Sequence, residues 1–294
     1  GIGYPFFSYG FLVWVTMDTP EKTMGRAVGW FWFANTTGLG VISSYLAALT
    51  IPLIGQLGTM WLSWGFVIAG GLIVALLMRS RGRAKAGMTT RDALAGVARS
   101  LTILKSHPKV GVGGMVRLIN TLSFYAFGVF LTYHMVKVIG FSTPIWQSIW
   151  GTMLLANVIG NLLFGYVGDK LGRVNTVAWF GGIGCAVSCL LLYYVPAHYG
   201  ANYALVLTVS IVYGLFLAAF VPLSAIVPLL APQNKAAAVP VLNLGAGLSN
   251  AAGPLLTRIF QDSLGVKGLM WMFAIIYVVG FFLAFFLRPG KQEV

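Results

Sequence analysis

Runs of about 20 apolar residues recur along this chain, most of them separated by short turns, and that pattern constrains the fold more than any other feature. Each run is long enough to cross roughly 30 Å of hydrocarbon as a helix. We read nine such spans, at roughly 3–17, 25–49, 58–78, 110–135, 145–167, 174–195, 203–230, 237–261 and 267–287. None alternates apolar and polar residues with period two, so helices rather than barrel strands are expected to cross the bilayer. Charged residues make up only 9% of the 294 residues. A water-soluble surface needs nearer a quarter. The expected class is all-α and polytopic.

Basic residues give the spans a direction. The segment 79–109 carries Arg79, Arg81, Arg83, Lys85, Arg91, Arg99, Lys105 and Lys109 against one acid, Asp92. Counting spans outward from it, the same side holds Lys22, Arg26, Lys170, Arg173, Lys235, Arg288 and Lys291. Lys137 and Lys267 fall opposite, while Arg117 and Arg258 fall within spans. Cytoplasmic loops are the ones enriched in Lys and Arg, so that side and the C-terminus are expected to be cytoplasmic, in a bacterial inner membrane. The net charge of +13 is therefore a matter of topology. No basic stripe interleaved with aromatics suggests nucleic acid.

The 79–109 segment divides three spans from six, so the expected organisation is 1–78, a central loop 79–109, and a six-helix block 110–294. Leu94, Val97, Leu101 and Leu104 have helical spacing and suggest an amphipathic helix on the membrane surface. The chain opens at Gly1 directly into an apolar run, which reads as a piece lacking its first spans. A six-span block after a long basic loop is what one half of a two-half transporter looks like.

Between the second and third spans of that block stands GYVGDKLGR, with Gly165, Gly168, Asp169, Lys170, Gly172 and Arg173. It resembles the loop signature of the major facilitator superfamily, G-x-x-x-D-R/K-x-G-R/K, in its usual slot. Glycines permit a sharp turn and close helix approach. Asp169 is suited to cap a neighbouring helix N-terminus, and the cations hold the turn on the basic side. Further segments, among them MVRLINTLSFYAFGVF, LFLAAFVPLSAIVPLLAPQNKAAA and VLNLGAGLSN, are similar to the polyol permease branch, the ribitol and D-arabinitol transporters. That resemblance implies twelve helices in two halves, alternating access, and proton-coupled uptake of a pentitol by a monomer without cofactor. LLMRSRGRAKAG lacks the Pro-Glu-Ser-Pro-Arg pattern of hexose porters, and NTTGLGVISSY lacks the Gly-rich run of drug/proton antiporters. Some members of the branch carry the label of 2-oxoglutarate permeases, so an organic acid is the alternative cargo.

Arg117 lies about 10 Å into its span at 1.5 Å per residue. A buried cation there is either a binding group or a side chain that snorkels to the interface. Thr121 and Phe124 share its helical face, and Asn120 stands about 60° around it. Hydroxyls, amides and an aromatic wall suit a polyhydric alcohol, whose hydroxyls both donate and accept. Asn243 and Asn250 share one face of the eighth span, and Asn157 shares a face with Asn161 in the fifth. The alternative for each is bonding between helices. For Asn161 we favour that alternative. Asn35, in the second span, is a further candidate, while Trp30 belongs to an interfacial belt.

The six acids (Asp18, Glu21, Asp92, Asp169, Asp262 and Glu293) all stand at span ends, in loops or in the tail. A proton carrier is then expected in spans that precede Gly1. With no buried acid and no central histidine, an intramembrane enzyme is disfavoured, and no filter loop or ring of like residues suggests a channel. Cys185 and Cys189 lie one turn apart in an apolar span, too few for a disulfide framework or a metal site, and read as packing.

Overall fold

In the computed structural model the described residues are 33–34, 37–77, 102–232 and 235–288. The first span, most of the 79–109 segment, Asn35 and the tryptophan belt around Trp30 lie outside them. Helices carry almost everything that is described, as a bilayer requires: with no water to bond to, each backbone N–H and C=O must be satisfied within its own segment.

The elements are α1 (Ser43–Leu77), entered through a π-helical stretch Thr37–Ile42; α2 (Pro108–Tyr133), extended by π-helical His134–Val138; and α3 (Thr143–Leu171). Then come α4 (Arg173–Tyr199), π-helical over Val177–Gly184; α5 (Tyr203–Ala218); short α6 (Leu223–Leu229); and α7 (Lys235–Phe285). Prolines open α2 and α3, where a missing N–H costs nothing. Asn202 caps α5 by accepting from the Leu205 N–H at 3.2 Å. Among the described residues six helices are long and apolar enough to cross a membrane.

Two of those six fold back on themselves. In α1, Thr50 and Thr59 meet through their hydroxyls at 3.0 Å, whereas nine residues of straight helix span about 13 Å. The chain reverses at Gly55, with φ +71° and ψ 175°. In α7 the reversal is at Gly265, with φ +61° and ψ −177°. Before it, Gly245 packs on Gly114 and Gly253 on Leu122 of α2. Beyond it, Phe273 meets Phe127, and Gly280 meets Ile119. The two arms therefore run in opposite directions along the same helix. Both reversals fall inside the gaps that hydropathy leaves between neighbouring spans.

The span expected at 203–230 is interrupted. After Ala218 the chain makes a run of tight turns, with Val221 N–H donating to the Ala218 carbonyl at 3.0 Å, before α6 begins. Pro222 has no N–H to continue the ladder, which accounts for the break. Of the surface helix expected near residue 100, only its end is described. Residues 102–106 are helical, with Ile103 buried in the core, Leu104 packed beside Gly111, and Thr102, Lys105 and Ser106 exposed. Leu94, Val97 and Leu101 lie outside the described residues.

The core joins α2, α5 and α7 through Phe127, Phe130, Tyr213, Phe273 and Tyr277, and α4 enters it through Val177, Cys185 and Leu192. Cys185 and Cys189 are buried and free; the Cys189 thiol lies 3.5 Å from the Met270 carbonyl, so both pack between α4 and α7. Where helices approach most closely a glycine removes the obstacle: Gly214 lies on the Met153 carbonyl and Gly182 against Phe281. The α1 arm contacts the rest through α3, with Gly40 against Leu154 and Gly151 against Ser44 and Tyr45.

Candidate functional site

Rise per residue places several polar side chains at one depth. Thr121 and Asn157 stand about 20 Å from the basic ends of α2 and α3, and Asn250 about 22 Å along α7. Each sits on a strip that no neighbouring helix fully covers. On α3 the exposed face is Leu155, Ile159 and Leu162, and Trp150, Asn157 and Asn161 lie opposite it. On α2 half-buried Arg117, Thr121 and Phe124 run between the flank that meets α5 and the flank that meets α7. On α7 half-buried Asn243 and Asn250 run between the glycines packed on α2 and exposed Leu244 and Leu248.

The hydrogen bonds distinguish these residues. Arg117 donates through Nη1 to the Asn120 amide oxygen. Asn120 is buried, and its amide nitrogen donates to the Leu217 carbonyl of α5 at 3.0 Å. Thr121 and Ser249 of α7 share a hydrogen bond of 2.6 Å. Asn157 donates to the Gly214 carbonyl at 3.2 Å, which leaves its amide oxygen on the open strip. Asn250 and Asn161 have no hydrogen-bond partner among the described residues, whereas Asn243 is engaged. Phe124 stacks on Trp150, ring centroids 5.5 Å apart and planes 19° from parallel. Amide and hydroxyl groups thus stand beside an aromatic wall.

Behind this layer lies a polar cluster that sequence reasoning did not identify. Ser123 of α2 bonds the hydroxyls of Tyr213 on α5, at 2.9 Å, and of Tyr277 on α7. The two tyrosine hydroxyls are 3.1 Å apart, and Tyr277 also donates to the Asn120 carbonyl at 3.2 Å. All three side chains are buried. They are separated by 64 to 154 positions, so no local spacing points to their meeting. The cluster ties three helices together directly behind Arg117 and Asn120.

At the basic end, Arg173 grips one oxygen of Asp169 through Nε at 3.1 Å and Nη2 at 3.0 Å. The cap expected of Asp169 is not formed: α4 starts at Gly172, φ +89°, without a side-chain cap. An arginine four residues on, at helical spacing across the turn, is the nearer partner. Lys170 lies 4.5 Å over the Tyr166 ring. Gly168 meets Pro222, which a Cβ would approach to 2.9 Å, while Gly165 faces open space. Arg288 donates to the Asn175 amide oxygen at 3.3 Å, and its carbonyl accepts from Lys109 at 3.1 Å. These bonds draw the ends of α2, α4 and α7 together. No group of three or more metal-ligating side chains occurs among the described residues.

The sequence profile of the Major Facilitator Superfamily matches residues 113–294. The alpha-ketoglutarate permease of Bacillus subtilis (strain 168) is 41% identical over 293 residues, covering 100% of this chain and 67% of that protein. The D-arabinitol transporter of Klebsiella pneumoniae is 38% identical, over 99% of this chain and 69% of that one. The ribitol transporter of the same organism is 37% identical with the same coverage. The chain thus spans about two thirds of the length of these relatives. Among solved structures, a bacterial homolog of the human lysosomal transporter Spinster, inward-facing and unoccupied, aligns with a TM-score of 0.67. The alignment covers 94% of this chain and 74% of that one at 17% identity. At that identity it speaks for the fold alone.

Proposed function

This chain belongs to the major facilitator superfamily, a multi-pass membrane transporter of small molecules rather than an enzyme, and on that premise we propose that it imports a pentitol of the ribitol or D-arabinitol type by proton symport with alternating access. The observation that carries this reading is the mid-depth layer. Asn157, Asn250 and Thr121 offer amide and hydroxyl groups at that depth, and Asn243 an amide about 10 Å nearer the basic end, to a ligand that both donates and accepts, beside Phe124. Arg117 and Asn120 form the basic-side edge of the site, and Asn35 is retained as a contributor outside the described residues. Two relatives that cover nearly all of this chain are polyol transporters by name.

In this reading residues 1–78 contribute the end of one half, 79–109 link the halves, and 110–294 form the other. The cargo site lies between them, where alternating access requires it. The basic end faces the cytoplasm of a bacterial inner membrane, the C-terminus with it, and the transporter works as a monomer. Asp169 and Asp262 are the acids among the described residues. Both stand near turns, so the proton-carrying group lies elsewhere.

A second reading has its own support. The relative at 41% identity is an alpha-ketoglutarate permease by name, and Arg117 is suited to a carboxylate, which a guanidinium meets with paired donors in a fixed fork. Replacing Arg117 by Gln separates the two. A neutral polyol should lose the equivalent of one or two hydrogen bonds, roughly 1–3 kcal/mol of affinity. A carboxylate stripped of its buried partner should lose binding altogether. We expect pentitol uptake into proteoliposomes to be weakened but measurable in Arg117→Gln, with no competition by 2-oxoglutarate in the parent. Strong inhibition of parent uptake by 2-oxoglutarate, lost in the variant, would reverse the ranking.

A further inference from the structure

We infer that Trp150 is a specificity-determining residue of the cargo site, presenting a flat ring to the carbon face of the polyol and its indole N–H to one hydroxyl. This rests on the polyol reading. Six tryptophans are described, and five have an evident role. Trp146, one turn from Trp150, is fully buried and donates to the Thr132 hydroxyl at 3.1 Å. Trp271 donates to the Tyr194 hydroxyl at 3.0 Å. Trp61, Trp64 and Trp179 are mostly exposed on the outside of the bundle. Trp150 alone among them is half-buried with an indole N–H that has no hydrogen-bond partner among the described residues.

An unmet N–H inside a membrane protein is costly, because lipid offers it no acceptor. Trp150 does not face lipid, since the exposed leucine and isoleucine face of α3 is on the other side. It instead shares a strip with Asn157 and Asn161, which lie seven and eleven positions on and within about 20° of it. One ring face is taken by Phe124, stacked at 5.5 Å. Trp150 thus carries the aromatic wall along the strip, about 10 Å along the helix from Asn157. Pentitols suit such a surface. One side of the carbon chain is C–H-rich and packs on a π face, while the hydroxyls turn outward to accept from an N–H and an amide. A dicarboxylate has less to gain there. Its recognition depends on cations, and Trp150 carries no charge.

The experiment compares Trp150→Phe and Trp150→Leu with the parent in proteoliposomes, measuring uptake kinetics for ribitol and D-arabinitol at equal protein content. Phenylalanine keeps a ring against Phe124 and loses the N–H, and leucine loses both. We expect KM to rise about threefold in Trp150→Phe and about tenfold in Trp150→Leu, with Vmax close to the parent, as loss of a hydrogen bond and then a stacking face requires. The ratio of KM for the two polyols should shift in both variants, because they differ in how hydroxyls are arranged along the C–H face. Unchanged KM values, or a fall in Vmax with the ratio unmoved, overturn the inference and leave Trp150 as packing. Should Trp150→Leu fail to reach the membrane, the KM and ratio of Trp150→Phe decide in the same way. A parent that takes up neither polyol but accumulates 2-oxoglutarate overturns the polyol reading itself, and the tryptophan's role with it.

Discussion

Asn120 and Asn161 have the same side chain in the same kind of apolar surroundings, yet they do different work. Asn120 accepts from Arg117, donates to the Leu217 carbonyl, and offers its own carbonyl to Tyr277. Asn161 makes no hydrogen bond among the described residues. An interhelical hydrogen bond in a membrane contributes about 0.6 kcal/mol on average and at most about 1.7. Asn120→Leu, which also leaves the Leu217 carbonyl unmet, should therefore destabilise the protein by about 1–2 kcal/mol. Thermal unfolding in detergent should show a lower midpoint for it and little change for Asn161→Leu. Equal midpoints for the two variants would mean that the amide bridge between α2 and α5 is not a source of stability.

At the scale of elements, the two reversals matter most. Gly265 holds φ +61° with ψ −177°, a region that side chains with a Cβ essentially do not enter. Forcing one into it costs on the order of 1–3 kcal/mol. A β-branched residue fares worst, so Gly265→Val should loosen the α7 hairpin and free its second arm from α2. Gly165→Ala is the control: its φ is ordinary and a Cβ there meets nothing within 4 Å. Resistance to unfolding by a denaturing detergent should fall in the first variant and hold in the second. Retained resistance in Gly265→Val would show that the turn tolerates a side chain after all.

For the whole molecule, the question is what the charged turn between α3 and α4 contributes. The Asp169–Arg173 pair is exposed and four residues apart, and pairs of that kind are worth only about 0.3–0.5 kcal/mol. Asp169→Asn should therefore insert and fold normally. We nevertheless expect slower transport, measured as initial uptake rate per protein in the membrane, because this turn sits where the ends of α3, α4 and α6 meet, with Gly168 against Pro222. An unchanged rate at equal expression would reduce the turn to a solvated connection between helices.

Spans and turns were legible in the sequence because they follow from local chemistry. A bilayer demands about 20 apolar residues per crossing, and glycine is needed wherever the chain reverses with positive φ. All five positive-φ residues described, Gly55, Gly140, Gly172, Gly200 and Gly265, stand at such reversals. The loop signature was equally plain, since its residues are neighbours in sequence. What a polar side chain does inside the bundle was not. Asn120, Asn157 and Asn161 read alike on a helical wheel, and nothing along the chain connects Ser123, Tyr213 and Tyr277. Only packing brings Tyr277 to Ser123 across 154 positions, and only packing leaves the Trp150 N–H open while that of Trp146 is met. Hydropathy depends on a residue and its neighbours along the chain. Hydrogen-bond satisfaction depends on what the other helices present at the same depth, and that is decided when the helices assemble.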